Sequence, residues 1–169
     1  MPDRTIIISD VHLGAAPKHN EQAFLSFLEQ APQWGEKLLI NGDLFDFYFE
    51  YKDVIPKVFV PFYHEILKIR EAGVKVHYVL GNHDYWVQDF ITDTLFDYTY
   101  FTDTEFDING KQFFVTHGDG YLSWDRGYRL LRGFIRSRLF TWVYRWIHPR
   151  LGYAFARWVS KKGEHYKHS

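Results

Sequence analysis

Four segments of this chain share one design, and it restricts the fold more than any other feature. Each is an apolar or β-branched run of strand length that stops at Asp, His or Asn: Thr5 to His12 (TIIISDVH), Leu38 to Asp46 (LLINGDLFD), Val74 to Asp84 (VKVHYVLGNHD) and Gln112 to Asp119 (QFFVTHGD). Near-continuous apolar runs are the mark of strands buried on both faces, as in parallel sheets. A glycine and a carboxylate at the end of such a run place the carboxylate at the sheet's carboxyl edge, where ligands and catalytic groups gather in open α/β sheets. The side chains delivered there are oxygen and nitrogen donors suited to Mn, Fe or Zn. The chain is therefore expected to be an α/β protein with a metal site on its strand ends.

Helical rhythm fills the intervals. Residues 4–9 read as the first strand, and the loop Asp10 to Pro17 leads to a helix from about Asn20 to Gln30, where Ala23, Phe24, Phe27 and Leu28 form a core-facing stripe. Beyond the second strand, Phe45 to Tyr51 is densely aromatic and fits a core or pocket wall, and Ile55 to Ala72 reads as a second helix closed by Gly73. Val74 to Leu80 is a third strand. Phe106 to Ile108 and Gln112 to Thr116 flank Asn109-Gly110, the dipeptide of a tight hairpin. The expected order is βαβαβ followed by antiparallel strands. From Tyr121 onward the chain is helical, rich in Arg and aromatics, and broken at Pro149 to Gly152. There Arg129, Arg132, Arg136 and Arg145 alternate with apolar residues, and Trp142, Trp146 and Trp158 are of the kind that settles at interfaces.

The 169 residues, 46% hydrophobic, suffice for one core, so residues 1–120 are expected to form it and residues 121–169 a basic aromatic helical insertion within the same domain. With no cysteine, any metal must be held by His, Asp, Asn or water. No run approaches the ~18 apolar residues of a membrane span and the N-terminus lacks a signal peptide, so the protein is expected to stay on the cytoplasmic side. The net charge of −1 hides an asymmetry: residues 1–120 carry 9 Lys+Arg and 19 Asp+Glu, whereas residues 121–169 carry 11 and 2. The acidic part suits cations, and the basic part suits phosphates or an anionic membrane surface. Because that basic charge lies in an apolar helical pattern without a nucleic-acid motif, nucleic acid is not an expected partner. Nothing in the sequence sets an oligomeric state.

The strand ends permit a specific chemistry. A carboxylate between two divalent cations holds them the short distance apart that two-metal hydrolysis of a phosphate ester requires. Asp43 is the expected bridge, with Asp10 and His12 completing one site and Asn82 and His117 the other. His83, beside a ligand but spare, is placed to donate a proton or hydrogen bond to a phosphate oxygen. A lone Asp or His at a strand end is ordinarily a turn former, but four such ends in one chain are not. His19, His64 and His77 lack the glycine-bounded turn and are expected to be surface or core residues. Asp46, Asp84 and Asp119 are expected either to orient ligands or to stabilise turns.

Taken in order, Asp10-Val11-His12, Gly42-Asp43, Gly81-Asn82-His83-Asp84 and His117-Gly118-Asp119 resemble the calcineurin-like metallophosphoesterase superfamily. HGDGYLSWDRGYRLLR, followed by an Arg-rich helical insertion, further resembles the UDP-2,3-diacylglucosamine pyrophosphatase family of lipid A biosynthesis. The resemblance implies a four-layer α/β/β/α sandwich with a helical lid, and two divalent ions, Mn first and Fe or Zn as alternatives. It implies a UDP-linked glycolipid hydrolysed to UMP and 2,3-diacylglucosamine 1-phosphate, with another nucleotide or phospholipid substrate, or a non-catalytic membrane-surface role, as the alternatives. It carries Asp10, His12, Asp43, Asn82 and His117 over as metal ligands, Asp125 and Tyr128 as contacts to the glucosamine phosphate, and Arg157, Ser160 and Lys167 as further lid contacts. The lid would clamp acyl chains and rest on the inner membrane as a peripheral attachment. Many members have Arg where this chain has His83. Superfamily members close both metal sites with a later Gly-His-x-His block; none occurs here, and His165 and His168 are the only late histidines close together. The expectation is an incomplete second sheet, weakened metal binding and little activity.

Overall fold

The apolar runs become parallel strands. The computed structural model describes residues 4–118, 130 and 133–154. In chain order they form β1 (Thr5–Ile8), α1 (Lys18–Gln30), β2 (Lys37–Asn41), α2 (Val60–Glu71), β3 (Lys75–Val79), β4 (Tyr98–Tyr100), β5 (Thr104–Ile108), β6 (Lys111–Val115) and α3 (Arg138–Arg145). The first four strands make one parallel sheet in the order β1-β2-β3-β4, and β5 and β6 make a separate antiparallel pair. Register sets the strand ends level, with Ile8 opposite Ile40 and Asn41 opposite Val79.

Alternation along β2 and β3 sorts the two faces. Leu38, Ile40, Val76 and Tyr78 join Leu28 of α1 and Phe62, Ile66 and Ile69 of α2 in the main core. Leu39 and Val79 face the other way, against Phe106 of β5. Helices, parallel sheet and second sheet therefore stack in the order expected of the sandwich, and the second sheet has two strands among the described residues. The Asn109-Gly110 turn joins them, both residues at positive φ, as that dipeptide favours.

Several boundaries differ from the sequence reading. Ala23 is exposed, and the stripe of α1 comprises Phe24, Leu25, Phe27 and Leu28. The expected helix over 55–72 is a 3₁₀ turn at Lys57–Phe59 followed by α2. A fourth parallel strand, β4, follows a π-helical segment at Phe90–Leu95. It is fixed from outside itself: Asp97 accepts from Val76 N at 3.0 Å and pairs with Arg70 and Lys75. Nearer the C-terminus, Ser137 caps α3 by accepting from Phe140 N. The break falls at 146–148, and Pro149 opens the next helical run rather than ending one. As expected, His19 and His64 are exposed and His77 is a core residue.

The aromatic segment after Asp46 ties α3 to the core. Phe45 and Tyr48 enter the main core, while Phe49 and Tyr51 form a second cluster with Tyr144 of α3, joined by Phe47, Trp86, Phe140 and Tyr153. No helix among the described residues is long and apolar enough to cross a membrane.

Candidate metal centre

Left-handed backbone builds the site. Asp10, His12 and Asp43 have φ of 53°, 49° and 47°, so each leaves its strand in a sharp turn that side-chain-bearing residues rarely adopt. Neighbouring loops are zipped together beyond the sheet: Asp10 N donates to Gly42 O at 3.2 Å, His12 N to Asp43 O at 3.0 Å and Leu13 N to Leu44 O at 2.9 Å. Two glycines leave room for the side chains. A Cβ on Gly42, itself at φ +74°, would strike the His117 ring, and one on Gly81 would strike the carboxylate and backbone nitrogen of Asp43.

Asp43 is the centre of the cluster and is almost fully buried. Its Oδ2 lies 3.2 Å from His117 Nε2 and 3.9 Å from both His12 Nε2 and His83 Nε2. Its Oδ1 accepts from His83 N at 3.1 Å. Asn82 Oδ1 is 3.3 Å from His117 Nε2. Burial opposes ionisation of Asp43, but the His117 hydrogen bond, reinforced by the His83 and His117 charges, holds its carboxyl below the usual range. The same hydrogen bond to Asp43 raises His117 to about 9 against the opposing effect of burial.

The donor set fits divalent cations. Asp10, His12 and Asp43 present ligand atoms within 4.8 Å of one another, as do His12, Asp46 and His83. Two donors of one ion, each about 2.1 Å from it at right angles, lie ~3 Å apart. His117 Nε2 lies at about that spacing from both Asp43 Oδ2 and Asn82 Oδ1. The structure thus brings together Asp10, His12, Asp43, Asn82, His83 and His117 from four strand ends. Asp119, Asp125, Tyr128, Arg157, Ser160, His165, Lys167 and His168 lie outside the described residues.

Supporting residues sort into distinct roles. Asp84 is fully buried and accepts from Leu44 N at 2.7 Å and Gly81 N at 2.8 Å, tying the second loop to the third. Burial raises its carboxyl above the usual value, with those hydrogen bonds in opposition. Asp46 instead supplies its backbone oxygen to His83 Nδ1 at 2.6 Å, which turns His83 Nε2 toward Asp43. Arg136 reaches back from the segment before α3: it stacks over Tyr85 at 4.1 Å and donates to Gly81 O at 3.1 Å. Trp86 Nε1 donates to Ile135 O beside it. The sequence shows Arg136 as one of a basic series; only the fold singles it out. A cleft of about 140 Å³ lies between α3 and the core, lined by Phe49, Trp86, Phe101, Thr141 and Arg145 among others.

Comparison with known proteins agrees with this geometry. UDP-2,3-diacylglucosamine hydrolase from Porphyromonas gingivalis is 31% identical over 167 residues, 96% of this chain and 64% of that protein. Proteins of the same name from Histophilus somni and Pseudomonas paraeruginosa are 29% and 28% identical, over 83% and 93% of this chain and 60% and 65% of theirs. The chain thus spans somewhat less than two thirds of the length of these relatives. The sequence model of the calcineurin-like phosphoesterases matches residues 3–164, so the chain belongs to the calcineurin-like phosphoesterase family.

Proposed function

We propose that the chain is a metal-dependent hydrolase of phosphoric esters and pyrophosphates whose substrate is a UDP-linked diacylglucosamine, cleaved to UMP and 2,3-diacylglucosamine 1-phosphate. The observation that carries the reaction class is the convergence of donors from four strand ends on Asp43. The substrate rests on the name of the relatives that align along most of the chain.

Asp10, His12 and Asp43 would hold one divalent ion, and Asp43, Asn82 and His117 the other, Mn being preferred to Fe or Zn. Ions bound there neutralise charge on phosphate oxygens and lower the pKa of water. Asp43, shared by the two donor sets, would help to hold both ions. His83, anchored through Nδ1 on Asp46 O, can hold a proton at Nε2 for the departing phosphate oxygen. Asp125, Tyr128, Arg157 and Ser160 are the proposed contacts to the sugar phosphate and lid side of the substrate.

Residues 1–120 would then be the catalytic core and 121–169 the lid, resting on the cytoplasmic leaflet of the inner membrane. Trp142 and Trp146 support this reading, being 59% and 78% exposed on a basic segment. The test is UMP release by the 169-residue chain with and without Mn. Asp43→Ala is expected to abolish it, and release that ignores Mn or survives the substitution overturns the proposal. Competition by short water-soluble phosphodiesters separates the glycolipid from other nucleotide or phospholipid substrates. The exposed tryptophans also favour a second reading, a membrane-surface protein without catalysis. Vesicle binding that survives Asp43→Ala, with no turnover by the unsubstituted chain, selects it.

A further inference from the structure

Asn41 breaks the pattern of its own strand. It ends β2 two residues after Leu39, so it shares the face that packs against the second sheet, where the alternation calls for an apolar side chain. Its amide Nδ2 crosses to the second sheet and donates to Thr116 O at 3.0 Å. Its Oδ1 is buried without a hydrogen-bond partner among the described residues. A buried unpaired carbonyl oxygen lowers stability, so stability alone does not account for an amide here.

Thr116 is the residue between the end of β6 and His117. Three successive residues at the end of β2 therefore hold one short segment of the second sheet. Asn41 Nδ2 holds the Thr116 carbonyl, Gly42 lies beneath the His117 ring, and Asp43 Oδ2 meets His117 Nε2 at 3.2 Å. The backbone oxygen of Asn41 is also 3.4 Å from His117 Nδ1, an orientation that leaves Nε2 for an ion. Among the described residues the sheets also meet at Leu39, Val79 and Phe106, where the contact is apolar and so non-directional. It buries area without fixing where along the sheet His117 arrives.

Resting on the reading of Asp43 and His117 as ligands, we propose that Asn41 is a positioning residue: its side-chain amide clamps the second sheet onto the first and sets His117 in register with Asp43. Polar burial at position 41 is retained for ligand geometry at the expense of stability.

The experiment compares the 169-residue chain with Asn41→Leu, which suits the apolar face, and Asn41→Gln, which keeps the donor on a longer arm. Mn titration, thermal unfolding of the metal-free chain and amide exchange are read on each. Asn41→Leu is expected to weaken the Mn equivalent that His117→Ala removes by about tenfold to a hundredfold, while the metal-free Tm stays within ~3 °C or rises. Asn41→Gln retains more affinity than Asn41→Leu. In the metal-free chain the Gly118 amide, which donates to Thr116 Oγ1 at 3.0 Å, exchanges about tenfold faster or more in Asn41→Leu, with β2 and β3 amides unchanged. Unchanged Mn affinity and unchanged Gly118 exchange overturn the proposal, as does a parallel fall in affinity and Tm, which marks a merely structural residue. If the unsubstituted chain takes up no Mn, the ligand reading fails by itself, and the Gly118 exchange alone decides the clamp.

Discussion

Three of the four non-glycine residues at positive φ among those described are proposed ligands, Asp10, His12 and Asp43; the fourth, Asn109, forms the hairpin turn. A left-handed residue with a Cβ costs about 1–2 kcal/mol. Such strain persists where the surroundings over-determine it, here through the zipped loops and the buried carboxylate of Asp84. The space left by glycine is the counterpart of that strain. Gly81→Ala is expected to displace the Asp43 carboxylate, lower bound Mn by at least about one equivalent and cost roughly 1–3 kcal/mol of metal-free stability. Elemental analysis and urea unfolding read the two effects, and unchanged metal content would show that the carboxylate has room to move.

Among the elements, the second sheet is apolar on both faces but covered on one. Phe113 and Phe114 of β6 are 45% and 65% exposed, while Phe106 of β5 is buried against His77. His77 stacks on Tyr98 at 4.6 Å, and its Nδ1 lies 3.1 Å from Tyr100 Oη. Burial lowers its pKa from 6.5 to about 4, with Asp97 opposing and Lys37 and Lys75 assisting. The folded form therefore favours neutral His77, and the unfolded chain binds the extra proton between those two values. This contribution to stability is complete above pH 6.5 and is lost as the pH falls through 4, amounting to at most about 3 kcal/mol. Urea unfolding of metal-free protein from pH 7 to pH 4 is expected to show the decline, and His77→Phe to flatten it. An equally steep acid limb in His77→Phe would assign the loss to other groups.

Over the described residues, the segment around α3 has an inward and an outward face. Phe140 and Tyr144 of α3 pack onto Phe49 and Trp86, and Tyr153 Oη donates to Phe49 O at 2.7 Å. Leu139, Trp142 and Val143 of the same helix, with Trp146 just beyond it, are exposed. Because the inward face docks on the residues that follow the loops after β2 and β3, the proposed ligand geometry and the proposed membrane contact are expected to separate by mutation. Trp142→Ala with Trp146→Ala should reduce co-sedimentation with anionic vesicles about tenfold or more and leave Mn content unchanged. Loss of Mn in that double variant would mean that the outward face also supports the site.

The sequence by itself determined the parallel strands, the residues at their ends, the Asn-Gly hairpin and the contrast in charge between an acidic first part and a basic last one. Each follows from neighbours in the chain: apolar runs, turn-forming residues and local charge. What sequence reading missed was decided by partners far away in the chain. β4 is three residues long and exists because β3 and the Asp97 carboxylate accept it. Ala23 turned outward because α1 rolled onto α2 through Phe24, which stacks on Phe62. Asp84, Arg136 and Asn41 look like any polar residue in a loop or strand end until the fold brings Leu44, Gly81 and Thr116 to them. The Asn41–Thr116 bond spans 75 positions, beyond the reach of any local pattern, so the tertiary structure alone decides that a strand-end amide sets the place of His117.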